Sequence, residues 1–261
     1  MAGTTDSAKA GEGSRVKSVS TLFSILERLK TNNGMGVSEL ARDMEMSKGA
    51  IHRYLQTLVD EGYAVNQDGT YTLALRFLDY GAYVRNQYPF NEYIQPKVRQ
   101  LAEQTGERAQ YIVEEHGRGI YLHRESGANA VETDARVGKV VYLHTTATGK
   151  AILSQLSDAR VNEIIDEQGL VSQTDLTVTD RKALFDELAE IRERGYALNE
   201  GEHVRGLFAV GVPITDQNDE VLGALSVSGP ANRLKGRTED QTIQRRLLGI
   251  KDEIELNLSY S

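Results

Sequence analysis

The chain has 261 residues, enough for two modest cores, and its 39% hydrophobic and 26% charged content is that of a globular protein. A net charge of −8 argues against holding nucleic acid by bulk charge, and the lack of cysteine excludes a disulfide framework and thiolate chemistry. The longest apolar runs, such as "LFAVGVPI" at 207–214, fall well short of the ~20 residues a membrane-spanning helix needs.

Residues 1–14, "MAGTTDSAKAGEGS", are small and polar with no apolar core. They read as a disordered arm rather than a signal peptide, and a cytoplasmic location is expected. Charge is unevenly spread: residues 15–58 carry seven basic and four acidic side chains, a cationic region inside an acidic molecule. Arginine outnumbers lysine 20 to 10 among 38 acids, a bias compatible with a high-salt cytoplasm.

"VSTLFSILERLK" places Val19, Leu22, Ile25, Leu26 and Leu29 at helical spacing, and "TNNGMG" ends that helix. "VSELARDMEM" starts another, with Ser38 as its N-cap and Leu40, Ala41 and Met44 facing inward. In "SKGAIHRYLQTL", residues 47–58, Ser47 is the expected N-cap, and Ile51, Leu55 and Leu58 share one face. Lys48, Gly49, His52, Arg53 and Gln56 fall on the opposite face. Gly62 ends the helix, and "YAVNQDGTYTL" predicts two short strands around Asp68-Gly69.

Three helices and a hairpin over 15–75 make a winged helix-turn-helix, whose third helix enters the major groove of DNA. Gly49 allows close backbone approach, while Arg53 and His52 have the reach for guanine N7 and O6. The bland alternative is an ordinary polar helix face. Acidic residues at 60, 61 and 68 weaken the wing's attraction for phosphates.

From 73 to about 106 the chain reads as helix in two pieces divided at Tyr88-Pro89, with a linker helix over 76–95. Tyr80, Tyr83, Tyr88, Phe90 and Tyr93 cluster there, as core or as a dimer interface. A second domain, 96–261, follows. "AQYIVEE" and "GIYLHRES" are strands turned at His116-Gly117-Arg118, "VVYLH" and "YALNE" add two more, and "LFAVGVPIT" and "VLGALSVSG" pair across Asp216–Glu220. Helices are expected at 147–168, 180–194 and 238–258. The fold class is α+β: a mainly antiparallel, six-stranded sheet with helices on its faces, able to close around a small ligand.

"HTTATGKAIL" at 144–153 fails as a phosphate-binding loop, because His144 and Ala151 stand where glycine and a hydroxyl are needed. Backbone N–H groups at Ala147, Thr148 and Gly149 would open a helix start suited to a small anion; alternatively Gly149 only permits tight packing. Ser226 and Ser228 point to one face of a strand, either solvent or a pocket. His116, His123, His144 and His203 lack metal-ligand spacing, and no nucleophile elbow occurs, so neither metal, cofactor nor catalytic residue is expected.

The chain resembles the IclR family of transcriptional regulators from about 16 to 258. The resemblance is carried by "VKSVSTLFSILERL", "SKGAIHRYLQTLVDEGY" with "GTYTL", "LHTTATGKAIL", "RERGYALNEGEHVRGLFAVGVPI" and "ALSVSGP". It implies a winged helix-turn-helix, a linker helix and an effector-binding domain in a homodimer or tetramer. Such a protein would repress or activate catabolic genes in response to small organic acids. The implied partners are a double-stranded DNA operator, an organic acid effector and further copies of the chain, with no membrane. DNA contacts would fall on Ser47, Lys48, Gly49, His52 and Arg53, with phosphate contacts from Arg15 and Lys17 in the arm. The effector would meet Ala147, Thr148, Gly149, Asn199, Ala209, Ser226 and Ser228. Asn199 stands where the family has an acid and Ala209 where it has cysteine; losing the acid removes a repulsion toward anions. The alternative is an enzyme or catalytic sensor fused to a helix-turn-helix, and a third reading is a winged protein–protein module.

Overall fold

The structure is a computed structural model describing residues 16–259, so the arm expected over 1–14 and the phosphate contact expected at Arg15 lie outside the described residues. The chain divides into two compact units between Val84 and Arg85.

The first unit begins with α1 (Lys17–Thr31), β1 (Met35–Gly36), α2 (Val37–Asp43) and α3 (Lys48–Asp60). The hairpin β2 (Ala64–Gln67) and β3 (Thr70–Leu73) and the start of α4 (Arg76–Gln87) complete it. Ile25, Leu29, Leu40, Ile51, Leu55 and Tyr71 form its core. Asp68 and Gly69 both have positive φ, 51° and 86°, the conformation a tight two-residue hairpin turn demands. Strand β1 had no sequence signal, since two residues cannot show a period of two; it pairs with β3 through Met35 and Tyr71, giving the order β1-β3-β2. That pairing holds the chain extended through Gly36, which becomes the N-cap of α2, so Ser38 lies inside the first turn instead of capping it. Val19 stands 47% exposed rather than inward.

The linker expected over 76–95 is two helices, because Pro89 cannot donate to a helix and restricts Tyr88 before it. Helix α4 ends at Gln87, and α5 (Asn91–Thr105) starts after Phe90 in a left-handed conformation, φ 60°. The aromatic cluster splits accordingly. Tyr88 and Tyr93 pack against the core of the second unit, Tyr80 shares a hydroxyl hydrogen bond with Tyr63 at 2.6 Å, and Tyr83 and Phe90 are exposed.

After α5 the second unit runs β4 (Arg108–Glu115), β5 (Arg118–Ser126), β6 (Val140–Tyr142), a 3-10 turn (Leu143–Thr145), α6 (Ala147–Gln155), α7 (Asp158–Gln168) and α8 (Arg181–Arg194). Then come β7 (Ala197–Glu200), β8 (Leu207–Thr215), β9 (Val221–Pro230), α9 (Ala231–Glu239) and α10 (Thr242–Leu258). The six strands pair antiparallel in the order β6-β5-β4-β9-β8-β7. Alternation gives the sheet two apolar faces: Tyr111, Val113, Val210, Val212, Leu225 and Val227 pack with α5 and α10, while Ile112 and Ala224 pack with α6, α7 and α8. The helix expected at 147–168 is broken in two, while the one expected at 238–258 is α10, starting four residues later, with α9 before it unforeseen. Ser157 caps a fresh start at α7, and the Asp240 carboxylate accepts the Thr242 N–H at the start of α10.

Candidate functional site

In the first unit, Ser47 caps α3 by accepting the Ala50 N–H at 3.2 Å. Ile51, Leu55 and Leu58 are buried beneath, and Lys48, Gly49, His52, Arg53 and Gln56 are exposed together on the other face. The ion pairs of this unit among the described residues join Arg28 to Asp43 and Lys30 to Glu27; Lys48 and Arg53 take part in neither. A Cβ added to Gly49 would meet nothing within 4 Å, so the protein's own packing does not require glycine there. Gln56 is drawn aside to Asp60 at 2.7 Å. Lys17, expected in the arm, is the exposed first residue of α1.

In the second unit, register assembles what the sequence scatters. Arg108 on β4 pairs with Ser228 on β9, Ser228 with Ala209 on β8, and Ala209 with Asn199 on β7. The neighbouring row is Gln110, Ser226, Gly211 and Ala197. Side-chain alternation turns both rows toward α6. Gly211 lets that helix settle onto the sheet, since a Cβ there would come within 2.7 Å of the Ala147 carbonyl carbon and 2.9 Å of the Thr148 nitrogen. Between helix and sheet lies a cavity of about 80 Å³, room for roughly two to three water-sized groups.

Ala147, Thr148, Asn199, Ala209, Ser226 and Ser228 all line it. Ser226 and Ser228 are 1% and 9% exposed, so their face is an enclosed one and not the solvated side of the sheet. Gly149 does not line it. Its N–H is taken by the Thr146 hydroxyl at 2.9 Å, and a Cβ there would lie 2.1 Å from the Leu143 carbonyl oxygen. The glycine is therefore a packing residue, and only the Ala147 and Thr148 N–H groups remain at the open helix end.

Among the cavity residues that escaped the sequence reading are two buried polar ones on β4. Arg108 and Gln110, at i and i+2 of β4, are 3% and 6% exposed and line the cavity. Their signal was a polar pair on one face of an otherwise apolar strand. Gln110 Nε2 donates to Ser226 Oγ at 3.3 Å and Ser228 Oγ at 3.0 Å, and Asn199 Nδ2 donates to the Thr145 carbonyl at 2.6 Å. Lys150, fully buried, faces away into an ionic triad, its Nζ 2.6 Å from Glu187 and 2.7 Å from Glu202. Burial raises the Glu202 carboxyl above its usual pKa, against the pull of Lys150. Burial lowers the His203 imidazole on the cavity wall, favouring its neutral form. Among the described residues no group of side chains is arranged to hold a metal ion, and no helix is long and apolar enough to cross a membrane.

Residues 83–252 match the family model described as bacterial transcriptional regulator IclR C-terminal, and residues 18–68 match the IclR helix-turn-helix domain. The chain is 32% identical over 234 residues to the probable HTH-type transcriptional regulator ArcR of Halobacterium salinarum, covering 88% of this chain and 89% of that one. It is 28% identical over 251 residues to the acetate operon repressor of Salmonella typhimurium, covering 94% and 90%. The crystal structure of the Thermotoga maritima IclR superposes with a TM-score of 0.77 at 28% identity, over 93% of this chain and 99% of that one.

Proposed function

The chain belongs to the IclR family of transcriptional regulators and is a DNA-binding transcription regulator; from this premise we propose that a small carboxylate metabolite modulates its hold on DNA. The observation that carries this reading is the partly open cavity whose wall, on an otherwise apolar sheet face, is set with buried polar side chains. Buried polar groups need partners, and a small acid supplies acceptors for the Ser226 and Ser228 hydroxyls and the open N–H groups of Ala147 and Thr148, beside Asn199. Ala209 leaves room beside them.

On the DNA side, α3 reads base edges through Lys48, His52 and Arg53, while Ser47 and Gly49 let its N-terminus approach closely. Lys17 and Arg15 neutralise phosphates. The protein works as a homodimer or tetramer, a reading supported by the exposed Leu78, Tyr83 and Val84 of α4. It acts in the cytoplasm, without a catalytic step or cofactor.

The test is fluorescence anisotropy on the DNA upstream of its own gene, titrated with and without a panel of two- to six-carbon acids. At least one acid is expected to change operator affinity by about 5–150-fold, the usual range of coupling between sites. An operator affinity unmoved by every acid, with binding to the protein measured alongside, would overturn effector control.

A further inference from the structure

Arg108 is buried to 3% exposure on the cavity wall, yet its hydrogen-bond partners are neutral: the Thr133 hydroxyl and the Val131 carbonyl, both between β5 and β6. A guanidinium has five N–H donors, and the Arg108 Nε has no partner. Of the nearby acids, Glu132 acts on Arg108 only through space, forming no ion pair with it, and the other two are committed elsewhere. Glu107, almost fully buried, pairs with Arg233 at 2.9 Å, and the exposed Asp134 pairs with Lys139 at 2.9 Å and with Arg136. Burial first, then the like charge of Arg124, holds the guanidinium below its ordinary pKa, against weaker attraction from Tyr121 and Glu132. A buried cation without a counter-ion is costly unless something else brings the opposite charge.

Gln110 completes the picture. Its amide donates to the oxygens of both Ser226 and Ser228, which leaves each hydroxyl hydrogen to turn toward the cavity. The donors at this space are the Arg108 guanidinium, two hydroxyls and the open end of α6, beside acceptors that include the unpartnered Gln110 amide oxygen and the Asp134 carboxylate.

We propose that Arg108 is the counter-ion of a bound carboxylate, and that Gln110 is a positioning residue that presents Ser226 and Ser228 to it as donors. The proposal rests on reading the cavity as the effector site. It narrows the ligand to compact acids whose carboxylate is indispensable, and it names a contact on the first residue of β4.

Isothermal calorimetry on the full chain tests this with matched acid and amide pairs: glycolate and glycolamide, lactate and lactamide, pyruvate and pyruvamide. The wild type should prefer at least one acid over its amide by about tenfold or more, the scale of a charge-assisted contact. Arg108→Gln should bring that preference to within about twofold with little change in amide affinity, and Arg108→Lys should restore part of it. Gln110→Leu should weaken acid and amide alike by freeing the serine hydroxyls from their orientation. If Arg108 served only to tether Val131 and Thr133, Arg108→Gln would move acid and amide together, and the proposal would fall. It would also fall if wild type bound acids and amides equally, the effector site then still standing. Were neither acid nor amide to bind wild type, the reading of the cavity would itself fail, and the assignment of Arg108 with it.

Discussion

Glycines 49 and 149 carry opposite predictions. Gly49→Ala has open space and an ordinary helical backbone, so it should stabilise α3 by about 0.5–1 kcal/mol while weakening operator binding, because the added methyl stands where DNA must approach. Gly149→Ala drives a methyl into the Leu143 backbone at 2.1 Å and should cost about 3 kcal/mol or more. Thermal unfolding of both variants, with anisotropy on the operator, checks the pair; an unchanged midpoint for Gly149→Ala would contradict the packing role. Arg53→Ala should weaken specific operator binding by about 1–3 kcal/mol, the scale of a bidentate base contact. Lys17→Ala should instead weaken all sequences alike and flatten the salt dependence. Wild-type affinity in Arg53→Ala would remove α3 from the recognition role.

At the level of elements, the buried histidines should govern acid stability of the second unit. Burial, helped by the charge of Arg85, pushes His123 down to about 4, and its Nε2 lies 2.8 Å from the Asn91 amide oxygen, tying β5 to the start of α5. Burial also lowers His144 and His203. Each folded-state value lies below the ordinary histidine pKa, so the unfolded chain takes up protons first as pH falls. Stability is therefore complete above about pH 6.5, and for His123 it declines as pH drops from there toward 4. Urea midpoints should fall between pH 7 and pH 5, and His123→Gln, which keeps a donor to Asn91 without titrating, should reduce that fall. An equal fall in both proteins would assign the acid sensitivity to other groups. The Lys150 triad makes a harder demand: Lys150→Met strands two glutamates, one of them buried, at a cost of about 3–5 kcal/mol.

For the whole molecule, symmetry sets the operator. If the proposed dimer relates two copies by a two-fold axis, it presents two α3 helices, and the site should be a pseudo-palindrome with half-site centres one or two turns apart, about 10 base pairs per turn. Footprinting reads this directly, and protection of one asymmetric half-site would count against a dimeric binder. The acidic balance of the chain, −8 overall against a basic 15–58 segment, predicts few phosphate contacts, hence a shallow fall of binding with salt and little nonspecific adhesion.

Local chemistry made much of this protein legible from its residues. The 3.6-residue spacing of Ile51, Leu55 and Leu58 determined both that α3 forms and which face it leaves exposed, and Asp68-Gly69 specified the hairpin turn. Such features depend on residues close in sequence, where period and turn preference act directly. Tertiary structure alone decided the cavity. Arg108, Ser228, Ala209 and Asn199 belong to four strands spread over more than a hundred residues, and only strand register places them in one row. Likewise, nothing local reveals that Gly149 abuts the Leu143 backbone, or that the charge of Lys150 is spent on Glu187 and Glu202 while Arg108 hydrogen-bonds only neutral partners. A side chain's neighbours across a sheet are set by pairing of distant segments, and burial, which gives a charge its cost, exists only once that pairing is complete.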